Sequence, residues 1–330
     1  MITQQKKQNI ITAFTNCGAS TAVPIWELEF QIWDIIGNKP VLLGGEFAGL
    51  TAAEQERALH ANAEVMIEVA AEMNFAAITA PGNYWEIAPG EPAFYWLPDK
   101  ARLRQTEILA KMAGDNFIIV ANSGGVMCMP PADSYIDFSY KLFDAPEDID
   151  KMAEDTLAAG IEKAKRFRDA GAEAMFSASD IADNRGMFFS PGQMQRYILP
   201  YLNKWVEAVR SMDAYSIIHS DGDLSDGLES IAASGVDALQ AIDPVAGMSM
   251  EKVRDKIGGQ LCLCGNIDCG LLLIGNPEQI YLATRQLLES RKNDSRFVLG
   301  AANAVQREIP EENYRAMIEA WKHYGNRNNE

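Results

Sequence analysis

The stretch YSIIHSDGD, residues 215–223, is an apolar run that stops abruptly in polar residues. Ile217 and Ile218 are β-branched and favour an extended chain, and Asp221-Gly222 favours a turn directly after it. Seven other runs repeat this form: AVPIW (22–26), FAAITAP (75–81), FIIVANSGG (117–125), EAMFSASDIA (173–182), VDALQAIDP (236–244), LCLCGNID (261–268) and RFVLGAANAV (296–305). Each has the length of a strand and ends near Pro, Gly, Asn or Asp. Nearly continuous apolar character predicts strands covered on both faces, as in a parallel sheet.

Helical patterns fill the intervals. In 51–73, Leu59, Met66, Val69 and Met73 recur at three-, four- and seven-residue spacings, and Thr51 with Glu54 forms a capping-box signature. Residues 145–171 carry a polar face rich in Lys and Glu, with Gly171 placed to end the helix. Ser190-Pro191, Pro277 and Pro310 each open another helix. Eight strands alternating with helices predict an α/β fold, a single (β/α)8 TIM barrel occupying 1–330 as one domain with a polar tail at 326–330. A doubly wound open sheet is the alternative, but no G-x-G-x-x-G follows the first strand and no Walker loop occurs.

Composition narrows the partners. The 330 residues hold 29 Lys and Arg against 46 Asp and Glu, a net charge of −17 that disfavours nucleic acid and anionic membrane surfaces. No run of 18 apolar residues suggests a membrane span, and the first residues lack a secretory signal, so a cytoplasmic protein is expected. Five cysteines in a chain of this size do not form a disulfide framework. Cys262 and Cys264 face one side of a strand, as buried small hydrophobes.

In a barrel, chemistry gathers at the carboxyl ends of the strands. Those ends carry Glu27 and Glu29, then Asn83, Asn122 and Ser123, Asp180 and Asp183, His219, Asp221 and Asp223, Asp243, Asn266 and Asp268, and Asn303. His219 and Asp221 stand two residues apart and face one side of an extended segment, which suits two ligands of one cation or a histidine oriented by its neighbour. A strand-end histidine bonded to backbone beside an Asp-Gly turn is the plain structural alternative. His60 and His323 lie on helices as surface residues. The aromatics Tyr84, Trp85, Phe94, Tyr95 and Trp96 fall in the loop after the second strand, either as an apolar lid over the mouth or as ordinary loop packing.

Three blocks carry a resemblance. SDIADNRGMFFSPGQMQRYILPYLNKWVEAVR (179–210) with IIHSDGD (217–223), GNIDCGLLLIGNPEQI (265–280) and LGAANAVQREIPEENYRAMIEAWKHYG (299–325) resemble the uroporphyrinogen decarboxylase superfamily, whose fold is a (β/α)8 barrel. The superfamily implies two chemistries. True decarboxylases carry an Arg-rich R-Q-A-G-R-Y segment that holds substrate carboxylates. The corresponding VPIWELEFQIWDI (23–35) has Glu27, Glu29 and Asp34 and no arginine, a poor host for a porphyrinogen bearing eight carboxylates.

The other branch comprises corrinoid-dependent methyltransferases, whose thiol-acting members bind zinc with a His-x-Cys and a later Cys. Carried over by position, the histidine is His219, the first Cys is replaced by Asp221, an added acid is Asp243, and the last Cys is replaced by Asn303. The resemblance implies methyl transfer from a small, methoxylated aromatic donor to a corrinoid (cobalamin) on a partner protein, with a homodimer as the family's habit. His219, Asp221 and Asp180 are then catalytic. His219, Asp221 and Asp243 are the metal set for Zn²⁺. Glu27, Tyr84, Trp85, Asn122, Arg185, Asn266, Asp268 and Asn303 contact substrate. A decarboxylase of a tetrapyrrole or smaller acid is the alternative reading, with Arg185 its strand-end cation.

Overall fold

The computed structural model describes residues 2–82, 86–88, 91–92 and 95–327. Seven of the predicted runs form one parallel sheet: β1 (Ala77–Thr79), β2 (Ile118–Asn122), β3 (Ala174–Ala178), β4 (Tyr215–Ser220), β5 (Ala238–Ala241), β6 (Cys262–Ile267) and β7 (Phe297–Ala301). The strands lie in chain order and every neighbouring pair is parallel, so each connection must cross over one face of the sheet. Helices make most of those crossovers, among them Asp99–Ala113, Pro146–Asp169, Leu199–Ser211 and Pro277–Ser290.

The first predicted run departs from expectation. Residues 22–26 form no extended ladder. Ile25 instead makes isolated parallel bridges to Phe75, just ahead of β1, and to Leu299 in β7. The Ala76 N–H donates to Ile25 O at 2.8 Å, the Trp26 N–H to Leu299 O at 3.0 Å, and the Leu299 N–H to Pro24 O at 2.9 Å. Pro24 has no N–H to give, which shortens any ladder through this segment. The approach to β7 is close enough to demand glycine: a Cβ on Gly300 would lie 2.3 Å from Trp26 O.

Two cores follow from strand periodicity. Ile118, Val120, Ala174, Phe176, Ile217, Ala238, Cys262, Cys264 and Val298 point to one face, where they pack with Trp26, Leu28 and with Ile10 and Phe14 of the helix Ile2–Thr15. Their neighbours Ile119, Met175, Ile218, Leu239, Leu263 and Leu299 point the other way and meet the surrounding helices. Cys262 and Cys264 are therefore buried core residues, as predicted. Residues one or two positions beyond the inner-face set emerge at the carboxyl edge.

The predicted caps are in place. Glu54 accepts from the Thr51 N–H at 2.9 Å at the start of Ala52–Glu72, and Ser190 with Gln193 boxes the helix opened by Pro191. No helix among the described residues is long and apolar enough to cross a membrane.

Candidate functional site

Strand register builds the centre. His219 and Gln240 are directly paired across β4 and β5, and both are buried. The Gln240 amide donates through Nε2 to Ala301 O at 3.3 Å and Ala302 O at 3.2 Å, so its Oε1 turns towards His219. Oε1 lies 2.5 Å from His219 Nδ1. An amide oxygen can only accept, so Nδ1 carries a proton and Nε2 is left facing the cavity.

Two carboxylates face that nitrogen. Nε2 lies 3.7 Å from Asp180 Oδ1, just beyond β3, and 3.9 Å from Asp221 Oδ2, just beyond β4. Both distances exceed a hydrogen bond. Asp180 Oδ1 accepts from the Asp221 N–H at 3.1 Å, and the Asn303 side-chain amide donates to Asp221 Oδ2. Asp221 sits on a turn that needs Gly222 at φ +90°, where a Cβ would lie 2.7 Å from the Ala182 carbonyl carbon. Its carboxyl is pushed up to about 6, first by burial, with His219 opposing and Asp180 and Asp243 adding.

The donor set fits a divalent cation. One atom from each of Asp180, His219 and Asp221 lies within 4.8 Å of the others. Ligand atoms bonded to one ion at about 2.0–2.2 Å stand at most about 4.4 Å apart, and the 3.7 and 3.9 Å separations of His219 Nε2 from the two carboxylates fall within that limit. The second ring nitrogen bonded to an amide oxygen and the carboxylates held by amide donors are the outer contacts such ligands require. No thiolate takes part, so the set is harder than a zinc–cysteine centre.

The three residues open on a cavity of about 480 Å³, whose wall also includes Glu29, Asn303 and the apolar Met129, Pro130, Pro131 and Ala132. Among the described residues, no Lys or Arg lines it.

Other predicted site residues serve elsewhere. Asp243 accepts from the Val245 N–H at 2.9 Å and the Gly222 N–H at 3.3 Å, tying two loops together, and stands outside the three-residue cluster. Glu27 is buried and does not line the cavity, accepting from the Ala301 N–H at 2.9 Å and the Tyr314 hydroxyl at 2.8 Å; burial pushes its carboxyl up to about 8. Asn122 accepts from the Gly124 N–H at 3.0 Å, and Asn266 donates to Ile242 O at 3.0 Å. Asp268 caps the helix Cys269–Ile274.

Arg185 is 87% exposed, paired with Asp183 at 3.1 Å in a small hairpin, and does not line the cavity. Tyr84 and Trp85 lie outside the described residues, while Tyr95 is core: it is buried and accepts from Trp33 Nε1 at 2.8 Å. Gln240 and the Met129–Ala132 wall went unmarked as site residues. A lone amide inside the apolar run DALQAI was the available signal for Gln240.

The sequence pattern of the uroporphyrinogen decarboxylase (URO-D) family matches residues 126–324, which includes Asp180, His219, Asp221 and Asn303. The chain belongs to that family. Uroporphyrinogen decarboxylase of Coxiella burnetii is 30% identical over 153 residues, 46% of this chain and 41% of that protein. The methylcobamide:CoM methyltransferase MtbA of Methanosarcina mazei is 24% identical over 131 residues, 39% of this chain and 36% of that one. The matched stretch thus spans under half the length of either relative. In solved structures, a methyltransferase from Methanosarcina mazei superimposes with a TM-score of 0.70 at 17% identity, covering 97% of this chain and 98% of that one, which establishes a shared fold.

Proposed function

We propose that this chain is a corrinoid-dependent methyltransferase that takes a methyl group from a small methoxylated aromatic and delivers it to a corrinoid protein. The reading treats the molecule as one (β/α)8 barrel in which the hydrogen-bonded Pro24–Trp26 segment stands as the eighth strand between β7 and β1. The observation that carries it is the cluster of Asp180, His219 and Asp221 at the wall of a cavity without basic residues among those described. The relatedness to a methylcobamide:CoM methyltransferase supports methyl transfer that involves a corrinoid.

In this reaction the methyl–oxygen bond breaks and the oxygen keeps the electron pair. Reduced cobalt of the partner's corrinoid would supply the nucleophile. Asp180, His219 and Asp221 would hold a divalent cation, zinc in our reading, and such an ion supplies Lewis acidity at the departing oxygen. The chain's own work is placement. Gln240 fixes which imidazole nitrogen faces the substrate, and Asn303 fixes the Asp221 carboxylate. The Met129–Ala132 wall gives the aromatic ring an apolar surface.

A decarboxylase is the second reading, favoured by the names of several relatives. Its polycarboxylate substrate would meet Glu29, Asp180 and Asp221 on the cavity wall with no described cation to offset them, an unfavourable arrangement at low dielectric. Incubating the pure protein with methoxylated aromatics and a reduced corrinoid protein, followed by absorbance, is expected to yield the methylated corrinoid. No methylation from a broad donor panel, together with carbon dioxide release from uroporphyrinogen, would reverse the assignment.

A further inference from the structure

Glu27 is a carboxyl sunk in the body of the fold, 2% exposed, that neither lines the cavity nor joins the three-residue cluster. Its two oxygens meet neutral donors: Oε1 accepts from the Tyr314 hydroxyl at 2.8 Å and Oε2 from the Ala301 N–H at 2.9 Å. Its backbone is fixed as well, with Glu27 O accepting from the Thr79 hydroxyl at 2.8 Å. Burying a carboxyl costs more than burying an apolar side chain of the same size, so this position calls for a use beyond packing.

That use lies at the Ala301 N–H. Backbone pairing between Pro24–Trp26 and β7 engages Leu299 on both its groups: its N–H donates to Pro24 O and its O accepts from the Trp26 N–H. Two residues on, the Ala301 N–H goes to the Glu27 side chain instead. There β7 stops being extended. Successive carbonyls of a strand point to opposite sides, yet Ala301 O and Ala302 O both accept from the one Gln240 Nε2, at 3.3 and 3.2 Å. Two N–H groups anchor this bend, Ala302 N–H on Ile267 O at 2.8 Å and Ala301 N–H on Glu27. The bend in turn decides which way round the Gln240 amide sits. Reversed, the amide would offer an N–H to His219 Nδ1 and select the opposite tautomer, with the ring proton on Nε2, between Asp180 and Asp221.

We propose that Glu27 is a positioning residue for the reaction centre: by accepting from the Ala301 N–H it holds the pair of carbonyls that orient Gln240, and through Gln240 it keeps His219 Nε2 free of a proton. The role rests on the reading of Asp180, His219 and Asp221 as that centre. It needs an accepting oxygen at the reach of a glutamate, not a charge.

The test reads His219 in metal-free protein by ¹⁵N chemical shift at mildly alkaline pH, apart from any methyl transfer. Glu27→Leu, which lacks the acceptor, is expected to turn the single Nδ1–H form into a mixture with the Nε2–H form. In calorimetric titration with zinc alone it is expected to bind about tenfold more weakly than the unaltered protein. Glu27→Gln keeps an oxygen at the same reach and is expected to restore both readings. Glu27→Asp, one methylene short of Ala301, is expected to follow Glu27→Leu, and it decides the matter if the Leu variant does not fold. A residue that merely braced the core would lower the urea midpoint in these variants and leave the His219 shifts where they were. An unchanged tautomer in folded Glu27→Leu or Glu27→Asp, or a Glu27→Gln that shifts as far as Glu27→Leu, would overturn the inference. Unaltered protein that binds no zinc, while the tautomer still follows residue 27, would leave the relay standing and remove the metal reading instead.

Discussion

The position of a single proton separates His219 from an ordinary buried histidine. Gln240 Oε1 can only accept, so the Nδ1–H form is selected and Nε2 faces Asp180 and Asp221. Gln240→Leu removes the acceptor without touching substrate, and methyl transfer is expected to fall about 10- to 100-fold. The chain has three histidines, so ¹⁵N chemical shifts will resolve the His219 tautomer directly, and a variant that keeps the Nδ1–H form would contradict this account. His219→Ala is expected to lose bound metal on elemental analysis and to reduce turnover by about a thousandfold or more. Unchanged metal content would remove His219 from the ligand set. At this scale the sequence was partly legible. The His-x-Asp spacing identified two of the three clustered residues, and Asp180 was singled out as catalytic. Asp243 was expected as the third ligand because the resemblance implies an added acid at that position. Its carboxylate instead serves two backbone N–H groups.

Elements place these residues because strands of a parallel sheet deliver their carboxyl ends to one edge. The placement is exacting where backbones meet. Gly300→Ala would set a Cβ 2.3 Å from Trp26 O, against backbone that cannot swing aside. We expect a loss of about 1–3 kcal/mol in urea unfolding, of the kind overpacking produces, with Ser or Val at this site worse than Ala. Wild-type stability for Gly300→Ala would mean that the contact between β7 and the Pro24–Trp26 segment is looser than described. Seven strands and the major helix starts were readable because apolar runs, Pro at first turns and capping residues act locally. The segment at 22–26 was not, since its pairing consists of isolated bridges to chain positions far away and Pro24 lacks a donor.

Across the whole molecule, burial of acids couples stability to pH. Glu27 is buried, and its carboxyl is raised from 4.5 to about 8. Between those values the folded chain holds a proton that the unfolded chain releases. This contribution is therefore fully present below about 4.5 and is lost as pH rises towards 8, on the order of 5 kcal/mol in all. Urea midpoints for the unaltered protein should fall between pH 5.5 and 8.5 more steeply than those of Glu27→Gln; equal slopes would show that Glu27 does not titrate in this way. By itself the sequence determined the class of fold, because hydrophobic periodicity and turn residues report on neighbours a few positions away. It also determined the family and the acidic character of the mouth, which follow from residue identity in order. Only the tertiary structure decided which acids meet His219. The reach of a carboxylate is a few ångströms, and whether Asp180, Asp243 or Asp268 lies within it depends on the register and curl of strands joined through long crossovers. The same packing buried Glu27 and Glu29, giving two similar carboxyls in one short segment different surroundings: one braced by Tyr314 and Ala301, the other with an oxygen left unpaired among the described residues.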